Sequence, residues 1–415
     1  MRPSLRQVLF RSAATGLDLN FAGGAFSLNN TRTASPAAIP GWSFSRTDTN
    51  GTATALDLAG NVIQFATGAP RITNRGILVE EARTNVLLRS NEFDNASWTA
   101  TNSTVTANAG SAPDGTTTAD KIIATVASAQ HRADQTAVNS AGTACFSVFL
   151  KAAEYSFATI RIGTSGGIVD LSNGSVSGVS VGYTMTATAF PNGWYRCALV
   201  GSAALNDTVR INVQNATGFA LSFAGDGTSG ILAWGAQFEL GAFATSPIIT
   251  TGAAGTRGAD SALVNSLPAL PTAFTMVAEW SREGGTDAAT SYRVASLSRV
   301  ADDSYSEIYQ RHTNNVVRAF QRTLGANQAD VTLGTGSIGA VQRAAARFVT
   351  NDVTGSFNGA AVVSDTVVTM PASPPLSFAV GSTNGTSGWL NGYIRRVQVL
   401  PFAATDAQLQ ALTAP

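Results

Sequence analysis

Short apolar runs closed by Gly, Asn or Pro repeat through most of the chain, and this punctuation constrains the fold more than any other feature. Between Lys121 and Leu240 the runs fall at 121–124, 145–150, 158–162, 168–171, 184–189, 195–200, 209–213 and 231–240. A spacing of roughly 8–15 residues, with turn residues between the runs, predicts the strands of an antiparallel β-sandwich. From Phe274 the pattern restarts. Phe274-Thr275-Met276-Val277-Ala278-Glu279-Trp280 alternates in character, and further runs follow at 292–297, 306–310, 316–321, 343–349, 377–380 and 390–400. Alternation turns one set of side chains to a core and the other to water. After the last run, Thr405 can cap a short helix that buries Leu409 and Leu412.

At 415 residues the chain exceeds one typical domain. Ahead of the first sandwich lie short candidate strands at 17–21, 42–45 and 62–65, a possible helical turn at 5–10, and the hairpin-turn pair Asn50-Gly51. Residues 252–268 are rich in Gly, Ala and Ser and read as a linker. The predicted division is a small strand-rich N-terminal anchoring or collar segment over 1–70, a first full domain over 71–258 and a second over 259–415. The fold class is all-β, with tandem antiparallel β-sandwiches after that segment.

Charge excludes some partners. Lys+Arg 26 balance Asp+Glu 26, so no broad field draws in nucleic acid or an anionic membrane. The pair Arg395-Arg396 reads as a solvated strand end. Val8-Leu9-Phe10 is too short for a signal-peptide core and nothing approaches a membrane span. Synthesis and folding in a host cytoplasm without secretion are expected. Cys145 and Cys197 both sit in strand-like contexts. A disulfide across a sandwich is conceivable, and a cytoplasmic origin favours two buried thiols. Neither has CxxC spacing.

The run Gly76-Ile77-Leu78-Val79-Glu80-Glu81-Ala82-Arg83-Thr84-Asn85, followed by Asn91-Glu92-Phe93 and Trp98, resembles a module of bacteriophage structural proteins. These are tail-fibre, tail-spike and head-spike proteins and related prophage or gene-transfer-agent proteins. Phe190-Pro191-Asn192-Gly193-Trp194-Tyr195-Arg196, Trp234-Gly235-Ala236-Gln237-Phe238-Glu239 and Ala242-Phe243-Ala244-Thr245-Ser246-Pro247 look like further pieces of it. The resemblance implies a jelly roll similar to carbohydrate-binding modules over 71–258. Phe357-Asn358-Gly359 before Val362-Val363, and Gly388-Trp389-Leu390-Asn391-Gly392 ahead of the last strand, resemble a concanavalin A-like, laminin-G-like, lectin-type sandwich.

Chemistry beyond binding finds little footing. His131 and His312 are the only histidines, the GxSxG spellings at Gly163–Gly167 and Gly178–Gly182 sit in turns between strand-like runs and not at a strand-to-helix elbow, and no phosphate-cradling GxxxxGK[ST] is present. Asp302, Asp303, Glu307, Glu279 and Glu239 are the carboxylates a glycanase could use, but the acidic Glu-x-Asp-x-x-Glu pattern of such a sandwich is missing. Asp302-Asp303-Ser304-Tyr305-Ser306-Glu307 reads as a turn running into a strand. Sugar recognition asks for an aromatic face with polar groups at its rim. In the second sandwich Trp389, Tyr305, Tyr309, His312 and Asn314, with Asp302 or Asp303, are the candidates. In the first they are Trp98, Trp194 and Tyr195, and each aromatic also reads as core packing. No cofactor is expected, since no linear loop of ligands supports Ca2+.

Together these readings lead to an expectation. The chain is a non-enzymatic virion structural protein, a fibre or spike of a phage-like head or tail, located on the particle surface. Other virion proteins would hold its N-terminal segment, and host surface polysaccharide would be its ligand. It would be a homo-oligomer, a trimer or a pentamer at a capsid vertex, because multivalency makes weak sugar binding useful. The alternatives are a glycan depolymerase tailspike and a ligand-free decoration protein.

Overall fold

The computed structural model describes residues 16–49, 52–215, 221–265, 267, 271–285, 291–299, 303–373 and 375–415. Strands dominate them, and nearly every strand pairing is antiparallel. The chain divides into two compact units, one of Met1–Arg46, Gly68–Glu81 and Ala259–Pro415, the other of Thr47–Thr67 and Ala82–Gly258. It therefore passes from one unit to the other four times.

The first unit is a sandwich of a 10-stranded and a 7-stranded sheet. Its 10-stranded sheet is organised by the last strand, Gly392–Leu400. One end of that strand pairs with Leu17–Asn20 (Leu17 opposite Val399) and the other with Gly76–Val79 (Gly392 opposite Val79). Its other edge carries Phe274–Arg282, which leads on to Val341–Val349 and Asp352–Phe357. The 7-stranded sheet runs Ala326–Thr335, Val316–Thr323, Ser304–Gln310, Tyr292–Arg299, Ser377–Val380, Ser261–Asn265, Trp42–Ser45. Leu19, Ile77, Trp280, Ile308, Phe378 and Val397 meet between the sheets, shielded from water. Alternate residues of Phe274–Arg282 and Val341–Val349 point outward, and there Val277 and Ala345 receive Leu409 and Leu412 of the helix Asp406–Thr413. Thr405 and Gln408 close a reciprocal capping box at its start, as the sequence predicts for Thr405.

The second unit is also a sandwich, of a 6-stranded and a 7-stranded sheet. The 6-stranded sheet runs Ser103–Gly110, Ala119–Ala124, Gly230–Leu240, Gly142–Ala152, Trp194–Ala203, Thr184–Phe190. Facing it are Thr99–Thr101, Ser128–Thr136, Thr208–Gln214, Phe157–Ile162, Ser165–Asp170 and Val176–Ser177, with Ser222–Ala224 paired beside Ser128–Thr136. Phe146, Val148, Ile160, Leu199, Ile211 and Phe238 fill the space between. The hairpin Thr52–Leu56 with Val62–Ala66 packs Val62 and Leu56 against Phe149, Trp194 and Trp234 on the outer side of the 6-stranded sheet.

All-β architecture with antiparallel sandwiches matches the sequence reading, but the course of the chain differs. The described part of 1–70 is no separate body: Leu17–Asn20 and Trp42–Ser45 complete the first sandwich, and the hairpin 52–66 belongs to the second. The expected linker carries structure. Gly255–Arg257 pairs with Arg83–Asn85, and Ser261–Asn265 lies inside the 7-stranded sheet with Ala262 and Val264 facing the core. Small residues gave that stretch a loop-like composition, yet its two-residue alternation is that of a strand. The helical turn at 5–10 and Asn50-Gly51 lie outside the described residues. Cys145 and Cys197 are free and buried. Val148 stands opposite Cys197 while Cys145 faces Val200, so the two thiols leave opposite faces of one sheet and cannot bridge.

The motif 76–85 has a structural explanation. Arg71 donates to both Glu80 and Asp260, and Arg46 donates to Asp260 at 3.4 Å. The Glu80 amide donates to the Asp260 carboxylate (2.8 Å) and the Asp260 amide to the Glu80 carbonyl (3.0 Å). Each of these residues lies within a few positions of a crossing between the units, so one buried network ties the crossing segments together within the first unit. Asn85 does similar work in the second unit. Its amide donates to the Ala236 and Ile248 carbonyls and accepts from the Phe238 and Leu87 amides.

Candidate functional site

In the first unit, the outer face of the 10-stranded sheet receives the terminal helix. The outer face of the 7-stranded sheet carries its own aromatic and charged surface. Strand register sets the rows. Ser298, Tyr305 and Arg322 stand side by side, as do Ser296, Glu307, Phe320 and Asp330, and then Arg293, Tyr309, Arg318 and Thr332. Directly opposed residues share a face, so Tyr305, Glu307 and Tyr309 turn outward while Ile308 enters the core. Phe320 sits between the two tyrosines, 5.6 Å from the Tyr305 ring and 6.2 Å from that of Tyr309.

Arginines and carboxylates frame these rings. Arg318 Nε donates to Asp330 Oδ1 (2.5 Å), and the Tyr309 hydroxyl donates to the same oxygen (3.0 Å). The Arg293 guanidinium lies 5.7 Å from the Tyr309 ring centre and donates to Glu307 (3.2 Å). Arg322 donates twice to Asp303 Oδ2, each at 2.9 Å, and once to Asn327 at 2.7 Å. Glu307 is only 1% exposed and its other oxygen accepts from Ser296 (3.0 Å). Burial pushes the Glu307 carboxyl up from its ordinary value, against the pull of Arg293 and the Ser296 hydrogen bond. Burial likewise raises the Tyr305 and Tyr309 phenols. The face thus offers two half-buried rings, Tyr305 and Phe320, beside the buried Tyr309 ring, for the apolar side of a pyranose, with guanidinium and carboxylate groups around them.

Of the residues expected from sequence, Tyr305, Tyr309 and Asp303 meet on this face. His312 and Asn314 fall in the adjoining turn before Val316; Asn314 Oδ1 accepts from the Val316 amide (3.3 Å), and both His312 ring nitrogens are shielded without a hydrogen-bond partner. Asp302 lies outside the described residues. Trp389 packs its ring on the core of the first unit and donates to the Asp260 carbonyl (2.8 Å), which makes it a wall residue. Trp98, 4% exposed, lies in the core of the second unit beside Phe93, with its indole donating to the Arg89 carbonyl (3.1 Å); a sugar ring cannot reach it. Trp194 is equally buried, donating to the Ser111 carbonyl (3.2 Å). Sequence reading missed Phe320, Arg293, Arg318 and Asp330. The first two-residue signal is there in 316–321, but only register shows which tyrosines Phe320 joins. Among the described residues no group of three or more His, Cys, Asp or Glu side chains is placed to hold a metal ion.

No protein-family model and no curated protein matches the chain. Among solved structures, the CBM40 domain of a Ruminococcus gnavus IT-sialidase bound to α2,6-sialyllactose is 18% identical, covering 35% of this chain and 85% of that one, with a TM-score of 0.29. The same domain bound to α2,3-sialyllactose gives 17% identity over 35% and 84%, also at 0.29. Domains LG4-5 of the mouse laminin α1 chain give 11% identity over 81% and 95%, at 0.26. Scores this low do not define a common fold, and the sandwiches assigned here rest on the chain's own strand order.

Proposed function

We propose that this is a non-enzymatic glycan-binding protein of a phage-like particle, adsorbing to host surface polysaccharide through the Tyr305–Phe320–Tyr309 face. The observation that carries the binding reading is the half-buried Tyr305 and Phe320 rings, backed by Tyr309 and framed by Arg293, Arg318, Arg322 and Asp330 on one sheet face. The virion role is supported by the resemblance of 76–85 and its companion motifs to phage structural modules. Oligomerisation and attachment through the N-terminal region belong to the same reading.

A depolymerase would need a reachable acid on this face. Glu307, with its raised carboxyl, is the one residue that favours such a reading, but both its oxygens are engaged and it is closed to water. The test uses the full chain and host capsule or lipopolysaccharide, with binding and reducing-end release read in the same tubes. Saturable binding that weakens about tenfold in Phe320→Ala, with no release, is expected for stacking worth about 1.4 kcal/mol. Release abolished by Glu307→Gln would establish the depolymerase instead. Binding indifferent to Phe320→Ala would remove this face from the mechanism.

A further inference from the structure

The second unit presents a different chemistry on the outer face of its own 7-stranded sheet. Register places Arg132, Asn212, Thr159 and Ile168 in one row, and Asp134, Arg210, Arg161 and Gly166 in the next. Their neighbours Ala133, Ile211 and Ile160 point the other way, into the core. Three guanidiniums thus share a patch three strands wide, centred on Thr208–Gln214. Asp134 is their one carboxylate in ion-pair contact, 2.6 Å from Arg132 Nε and 3.7 Å from Arg210 Nε. Among the described residues Arg161 has neither an acid nor a hydrogen-bond partner, and its Nε is shielded from water. Burial, then Arg210 and Arg132, lower the Arg161 pKa, the signature of a cation among cations.

Asn212 supplies an independent observation. It is 0% exposed, yet neither its amide nitrogen nor its oxygen has a hydrogen-bond partner. A buried amide left in that state costs stability, and its retention calls for a reason. Directly beside it, Thr159 and Arg161 line a recess of about 400 Å³ with Ile168, Val181 and Leu221.

We infer that this recess is a second binding site, for a carboxylate-bearing sugar. Arg161, seconded by Arg132 and Arg210, supplies the planar fork that a carboxylate fits. Asn212 adjoins Thr159 behind the recess and is closed to water, so the groups that answer ring hydroxyls are Thr159 and Ser180 of the lining. Ile168, Val179 and Leu221 offer the apolar wall for the ring itself. The inference shares with the proposed function only the premise that the chain binds glycans, and its residues lie in the other unit.

Titrating the full chain with oligogalacturonate, its carboxyl-reduced counterpart and dextran sulfate tests it. Expected are saturable binding of oligogalacturonate, at least tenfold weaker binding of the reduced form and of dextran sulfate, and loss of at least tenfold in Arg161→Gln at an unchanged thermal midpoint. Equal binding of the acidic and reduced oligomers would overturn the site, as would an Arg161→Gln protein that binds normally. Dextran sulfate binding as tightly as oligogalacturonate would overturn the carboxylate assignment. Val363→Ser, at an exposed position outside both faces, is the control that leaves oligogalacturonate binding intact, and failure of the aromatic face is read separately in the host-polysaccharide titration.

Discussion

Arg71 and Asp260, 189 positions apart in the chain, form an ion pair in which both side chains are closed to water. Burial alone would depress the Arg71 guanidinium, but the Asp260 and Glu80 carboxylates outweigh it and hold its pKa above the ordinary value. Removing the cation leaves those two acids facing each other in a dry site. Arg71→Met is therefore expected to cost about 3–5 kcal/mol, as for other broken buried pairs. Urea unfolding followed by tryptophan fluorescence measures it, and a loss under about 1 kcal/mol would contradict the network as drawn.

The same network bears on how the protein can be dissected. A fragment of residues 260–415 lacks Leu17–Asn20, Trp42–Ser45 and Gly76–Val79, which pair with strands it retains. It also leaves Asp260 without either arginine. We expect it to be insoluble or to lack dispersed amide resonances. A cooperatively folded fragment would show that those pairings are dispensable.

Glu307 gives stability a pH dependence of known sign. Its folded carboxyl lies above the ordinary 4.5, so it is protonated in both states below that value and adds no penalty there. As pH rises from 4.5 through the folded value, the unfolded chain ionises first and the contribution to stability is lost. Glu307→Gln should flatten this slope. Unfolding free energies of both proteins across the acid-to-neutral range decide it, and parallel curves would place Glu307 in a wetter setting.

Cys145 and Cys197 are expected to be inert. Burial raises both thiols well above the ordinary range, and the thiolate is the reactive species. Iodoacetamide should label neither in the native protein and both in denaturant, with no change on prior reduction. Native labelling at either position would mean that its sheet opens readily.

Periodicity carried much of the fold, and its failures have physical causes. The strand Phe274–Arg282 was legible because large apolar residues mark its buried positions. Ser128–Thr136 was not: its inward residues include Ala133 and His131 between polar neighbours, so the alternation is faint, whereas Ala326–Thr335 alternates plainly at Ala329, Val331 and Leu333 and was overlooked. Tyr305 and Tyr309 could be placed on one face because four residues is an even step along a strand. Trp98 could not be told from a binding platform, since an indole packed in a core and one that stacks on a sugar look alike in sequence. The Arg132–Arg161–Arg210 patch was invisible because its members come from three strands that only register brings side by side.

The double pairing of Gly392–Leu400 has a consequence for the order of events at the ribosome. Leu17–Asn20 and Gly76–Val79 leave the ribosome well before their shared partner, Gly392–Leu400. At about 5–20 residues per second they wait on the order of tens of seconds with open hydrogen-bonding edges. The second unit, complete once Gly258 has emerged, can close meanwhile. Nascent chains that stall before residue 392 would thus carry one finished sandwich and two unsatisfied strand edges, the form most prone to join a neighbouring chain on the same message.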